Sequence, residues 1–116
     1  MTSITNPLEL LMPPEWIKYF EITKIQKGTI GWRITLIEKE DLIPADLQGK
    51  EAVQNGYMNP VELNDFPLRG LPTYLRFIRR RWKEPGKEKS YFNNYNFHPE
   101  GMKATREFGA FLKEFD

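Results

Sequence analysis

One stretch, Pro72–Lys83, constrains the fold of this chain more than any other. On one parity it carries Leu75 and Phe77, then Arg79 and Arg81; on the other, Tyr74, Arg76, Ile78, Arg80 and Trp82. Side chains alternate across a strand with a period of two, so this is a strand with two different halves. It can bury its first half and carry its arginine-rich end out of the core. The rest of the fold has to accommodate that exit.

The chain offers no covalent or metal staple for the purpose. Its 116 residues include no Cys and one His, His98. Disulfides, thiol nucleophiles, thiolate metal sites and iron–sulfur clusters are excluded together, and one imidazole cannot build a four-ligand centre. Folding without metal or cofactor is the expectation. Burial must come from eight Phe, five Tyr and three Trp, enough for one small domain over residues 1–116. No run of about 18 apolar residues occurs, so no membrane span is expected. The opening Met1-Thr2-Ser3 has neither a basic nor an apolar signal region, which makes the cytoplasm the expected location.

Along the chain, residues 1–7 read as a loose leader, residues 8–101 as a short helix plus β-hairpins, and residues 102–116 as a helix. The short helix is placed over Pro14–Phe20, since proline suits a first helical turn and Glu15 its positive end. Trp16, Ile17 and Phe20 would face inward. Glu21–Lys27 and Ile30–Lys39 form a hairpin around Gly28-Thr29, with Trp32, Ile34 and Leu36 alternating against Arg33, Thr35 and Ile37. Glu40–Asn59 carries Pro44, Gly49 and Asn55-Gly56 and reads mostly as loop. A short strand at Pro60–Leu63 precedes a turn over Asn64–Gly70. Glu84–Lys87 is a turn, and Ser90–Phe97 a return strand. From about Met102 a helix places Phe108, Phe111, Leu112 and Phe115 on one stripe. The predicted class is α+β: a small antiparallel sheet centred on Thr73–Trp82, a short N-terminal helix and a C-terminal amphipathic helix.

Charge is unevenly spread. Residues 1–68 hold six Lys/Arg against ten Asp/Glu, and residues 69–116 hold eleven against six. Between Arg69 and Lys89 there are eight cations and two anions, Glu84 and Glu88. Three consecutive guanidiniums repel one another unless anions are near, and their planar forks match phosphate oxygens. Trp82 or Tyr74 could lie against a sugar or a base. The competing reading pairs the basic strand end with acids such as Glu62 or Asp65. Catalytic chemistry finds little material: His98 beside Pro99 reads as a surface or helix-entry residue, and Glu38, Glu40 and Asp41 as a solvated polar end of the hairpin. No enzyme activity is expected.

Three motifs in order carry a family resemblance: Asp65-Phe66-Pro67-Leu68-Arg69-Gly70, Tyr74-Leu75-Arg76-Phe77 and Arg79-Arg80-Arg81-Trp82. Together they resemble the N-terminal region of bacterial insertion-sequence transposases, where an Asp-x-Pro-(Ile/Leu)-x-Gly turn leads into a strand ending in arginines and an aromatic. Ala104-Thr105-Arg106-Glu107-Phe108 is similar to the Thr-x-x-Phe stretch opening the next helix, and Leu11–Lys24 to short members encoded as a separate reading frame. Zinc-ribbon members carry cysteine pairs after the arginine run; this chain has Lys83-Glu84-Pro85-Gly86 and Ser90–Asn96 there instead. A hairpin packed on Trp82, Tyr91, Phe92 and Tyr95 would have to replace the metal. The resemblance implies recognition of element ends in transposition, with the family's catalytic acids in a downstream domain.

The expected partner is therefore double-stranded DNA, the terminal repeats of the element. Arg76, Arg79, Arg80, Arg81 and Lys83 are the leading phosphate contacts, with Trp82 beside them and Arg69, Lys87 and Lys89 as weaker candidates. The alternative is a protein–protein adaptor that docks the catalytic transposase subunit, or a downstream domain, through Phe108, Phe111, Leu112 and Phe115. The terminal helix has no Gly or Asn stop signal, which suggests a junction to further polypeptide or a partner.

Overall fold

The computed structural model describes residue 10, residues 12–97 and residues 105–113. The expected leader, His98, Phe115 and the ends of the C-terminal helix lie outside the described residues. Among the described residues there are six strands and one α-helix: β1 (Phe20–Lys27), β2 (Trp32–Glu38), β3 (Val53–Tyr57), β4 (Val61–Leu68), β5 (Leu71–Ile78), β6 (Arg80–Lys83) and α1 (Arg106–Lys113). The class is α+β, weighted toward β.

Two hairpins build the main sheet, in the order β1-β2-β5-β4. β1 pairs antiparallel with β2, and β4 with β5. The hairpins meet through their second strands, which run the same way, so β2 and β5 pair in parallel from Trp32↔Thr73 to Ile37↔Ile78. The sheet is consequently mixed, where sequence pattern suggested antiparallel pairing throughout. A crossover of this kind cannot be seen in local periodicity.

Between β4 and β5 the chain reverses in two residues, Arg69 (φ 54°) and Gly70 (φ 79°). Positive φ at both central positions is the hairpin turn whose twist suits the flanking strands. The expected turn over Asn64–Gly70 contracts to this pair. Asn64, Asp65, Phe66 and Pro67 belong to β4, and the ladder shifts register between Asp65 and Leu68. Proline is tolerated there because β4 is an edge strand and its missing N–H falls in the irregularity.

The core lies on one face. Phe20, Ile34, Leu36, Leu63, Leu75 and Phe77 are each at most 1% exposed. Trp16 covers them, its ring 5.1 Å from Phe97 and 5.4 Å from Phe77. The expected N-terminal helix is one 3-10 turn, Pro14–Trp16, because Phe20 already begins β1 and leaves no room for a second turn. Trp16 and Phe20 are buried and Ile17 packs against the cluster, so the inward residues were correctly anticipated. Tyr95 and Phe97 return over the same face, but Ser90–Phe97 is not a regular strand. Only Tyr91 pairs, bridging Trp82.

Inside the expected loop Glu40–Asn59 lies β3, which pairs with β6 as a separate two-stranded sheet. Asn55-Gly56, a turn signal in sequence, sits within β3 at a register shift between Gln54 and Tyr57. Gly56 has φ 77°, and a Cβ there would lie 3.0 Å from a terminal nitrogen of Arg81. The glycine serves a bulge and a close approach, not a chain reversal.

Candidate nucleic-acid interface

β5 leaves the main sheet at Arg79 and continues as β6 in the small one. The predicted single strand Pro72–Lys83 is thus broken at one residue. Arg79 joins the halves: its carbonyl accepts the Met58 N–H at 2.9 Å, while its Nη1 donates to the Asn93 carbonyl at 3.1 Å. Its guanidinium lies 5.0 Å from the Phe92 ring centre and 5.8 Å from that of Phe97. Its buried Nε has no hydrogen-bond partner among the described residues.

Arg80 is tied more tightly still. Its backbone N–H donates to Glu38 Oε1 at 2.9 Å, its Nε to the Glu38 carbonyl at 2.7 Å and its Nη1 to Gln54 Oε1 at 2.7 Å. Arg81 Nε donates to the Asn55 carbonyl at 2.7 Å. Glu62 and Asp65, the suggested acidic partners, are engaged elsewhere. Glu62 faces Arg33 at 3.7 Å, and Asp65 accepts the Thr105 hydroxyl at 2.9 Å.

At the centre of these ties is Glu38, fully buried. Its carboxylate accepts from the Arg80 N–H, from Asn93 Nδ2 at 3.0 Å and from the Tyr95 hydroxyl. Three donors make a buried carboxylate tolerable. The Tyr95 phenol is held above its ordinary value: burial disfavours the phenolate most, the hydrogen bond to Glu38 and its charge add to this, and Arg79 pulls the other way. The expected solvated group Glu38, Glu40 and Asp41 therefore divides, with Glu40 and Asp41 exposed and Glu38 inside. A signal for this did exist. Glu38 continues the inward parity of Ile34 and Leu36, and that parity outweighs its charge once donors converge on it.

The nine residues expected to contact DNA do not form one surface. Arg69 sits beyond the opposite end of β5 from Arg79, with the eight residues of that strand, about 26 Å of extended chain, between them. Trp82 is 7% exposed and pairs with Tyr91 through backbone hydrogen bonds of 2.8 and 2.7 Å. Buried in this way, it cannot stack on a sugar or base, which corrects the sequence expectation. Tyr91, Phe92 and Tyr95 do pack around this hairpin region, though not as a ring cluster with Trp82; Tyr95 belongs to the main core. Arg76 lies on the outer face of the main sheet, in register with Thr35 and Glu62.

What the structure does bring together is a smaller set. Arg81 and Lys83 share one face of β6, since they alternate with Arg80 and Trp82. Lys87 lies in the following turn, 3.5 Å from Glu84, and Lys89 stands 5.1 Å from the Tyr91 ring centre. Glu84 also faces Lys50 at 3.7 Å. The lysines of both pairs are well exposed, so these pairs hold little energy and would open readily to a polyanion.

A second candidate surface flanks β4. Thr105 opens α1, its Oγ1 accepting the Phe108 N–H at 3.4 Å, and its own N–H donates to the Asn64 carbonyl at 2.8 Å. The Phe66 ring lies tilted against Phe108 at 5.2 Å between centres and edge-on to Phe111 at 5.3 Å. Phe66, Phe111 and Leu112 nevertheless remain 36%, 42% and 43% exposed.

Among the described residues, no three His, Cys, Asp or Glu side chains are grouped to hold a metal ion, and no helix is long and apolar enough to cross a membrane. Comparison of the chain with protein-family models, with curated proteins and with solved structures finds no match.

Proposed function

We propose that this chain is the DNA-binding N-terminal part of an insertion-sequence transposase, recognising the ends of the element in the cytoplasm while a separate polypeptide or downstream domain performs strand transfer. The observation that carries the reading is the exit of β5 into β6. It delivers Arg81 and Lys83 to a thin outlying sheet, next to Lys87 and Lys89, in a stretch opposed only by Glu84 and Glu88. The order of the three motifs along the chain supports the same reading. Arg79 and Arg80 act here as internal struts that place the sheet, and the phosphate contacts fall to Arg81, Lys83, Lys87 and Lys89. Anisotropy titration of a duplex carrying the repeats that flank the coding region, against a shuffled duplex, tests it. Salt-sensitive binding with preference for the repeats is expected; no binding of either at low salt overturns it.

The exposed Phe66, Phe111 and Leu112 surface favours a second reading, an adaptor that docks the catalytic subunit. Co-purification with that subunit, lost on replacing Phe66 and Leu112 by Ser, together with no DNA binding, would select it.

A further inference from the structure

Beside the tip of the β1–β2 hairpin, on the face of the main sheet away from the core, lies a hollow of about 530 Å³. Gln26, Ile30, Trp32, Arg33, Glu62 and Tyr74 line it. Its size falls within the range of small-molecule sites, roughly 300–1,000 Å³, and it joins aromatic and apolar surface to a few polar groups.

The hollow has a braced wall. The Gly28 N–H donates to the Gly31 carbonyl at 2.8 Å across the tip. Gly31 presses so closely on the β4–β5 hairpin that a Cβ would lie 2.3 Å from the Pro72 carbonyl oxygen. Trp32 Nε1 donates to the Leu68 carbonyl at 3.2 Å, fastening the same two hairpins. Ile30 is held out from this support at 76% exposure, the highest value among the exposed large apolar residues described. A rigid tip that presents an isoleucine to solvent favours an apolar or planar occupant.

The polar groups narrow its chemistry. Arg33 and Glu62 are separated by 3.7 Å, too far for a hydrogen bond, and their side chains are 51% and 41% exposed. Each can hydrogen-bond a third group, and Gln26 adds an amide that donates and accepts. Lys27 also lines the hollow, its ammonium over the Trp32 ring at 5.7 Å from the centre, and Glu62 offsets the Arg33 guanidinium that a phosphate would otherwise pair with. Tyr74 and the Arg33 guanidinium offer planar faces for stacking. A neutral heterocycle with donors and acceptors on its edge satisfies all of these groups.

We propose that the hollow takes one nucleobase, unstacked from a single-stranded DNA segment. A duplex keeps its base faces covered, so only an unpaired or frayed strand can supply it. The inference rests on the DNA-binding reading, and the two sites are distinct: Tyr74 and Arg81 are seven residues apart, about 23 Å along the chain.

The test uses the full chain and a single strand of about twelve nucleotides with one 5-iodouracil, alongside a duplex of the same sequence. Irradiation should give an adduct that maps to Tyr74. Tyr74→Leu should weaken single-strand binding about tenfold, leave duplex binding within about twofold, and remove any adduct at residue 74; Tyr74→Phe, which keeps the ring, should retain the affinity. Duplex binding with no adduct in the hollow, or a Tyr74→Leu variant indifferent to strandedness, overturns this inference and leaves the DNA-binding reading standing. Binding of neither probe at low salt overturns both.

Discussion

The main sheet and the small sheet are held by different forces, although one continuous segment runs through both. In the main sheet, Leu75 and Phe77 of β5 are fully buried among Phe20, Ile34, Leu36 and Leu63. Area removed from water dominates there. In the small sheet, β3 has no buried residue, and Trp82 is the one buried position in β6. Hydrogen bonds from Arg79, Arg80 and Arg81 to Asn93, Glu38, Gln54 and Asn55 do the holding instead. A run of arginines thus has two uses at once: most of the guanidinium capacity stitches sheet to sheet, and a remainder faces outward. Counting cations in a sequence overstates what is available to a ligand.

The largest expected effect tests the packed half. Phe77→Ala should cost about 4 kcal/mol in chemical denaturation and lower the whole transition, since it empties the centre of the aromatic cluster. If the small sheet melted separately and unchanged, the two regions would be independent.

Next comes the polar half. Glu38→Ala leaves the Arg80 N–H, the Asn93 amide and the Tyr95 hydroxyl without their acceptor, and should cost about 3 kcal/mol. Hydrogen exchange should accelerate in β3 and β6 ahead of β2 and β5. Equal acceleration in all four would show that Glu38 serves the main core as much as the junction.

A smaller effect follows from pH. The Tyr95 phenol is raised in the folded protein, so above its ordinary value of 10.0 the unfolded chain loses a proton that the folded one keeps. The contribution of this group is therefore fully present at neutral pH and is lost as pH rises beyond about 10, at up to roughly 1.4 kcal/mol per pH unit. Tyr95→Phe should remove that alkaline slope. A slope unchanged in the variant would assign it to another group.

The smallest change probes the outward remainder. Lys83→Gln should alter stability by no more than about 0.5 kcal/mol, yet reduce the slope of log affinity against log salt by about one. Arg79→Gln should do the reverse, destabilising the fold by about 1–2 kcal/mol with the salt slope kept. Identical behaviour of the two variants would erase the division between strut and contact.

Local pattern alone was enough for much of this protein. Period-two alternation located both halves of the first hairpin and the buried half of β5, and the absence of cysteine left aromatic packing as the source of the core. Positions set by more than one segment were illegible for a physical reason: their energy depends on groups far away in the chain. The parallel pairing of β2 with β5 exists only once two hairpins dock. Asn55-Gly56 falls inside a strand because Gln54 and Tyr57 on either side pair with β6, and Asn64-Asp65 because β5 offers a ladder. Glu38 is buried because donors from residues 80, 93 and 95 reach it, 42 to 57 positions later. The arginine motif was visible as a motif, but which guanidiniums turn inward was decided by where β3 and the 93–97 segment came to rest.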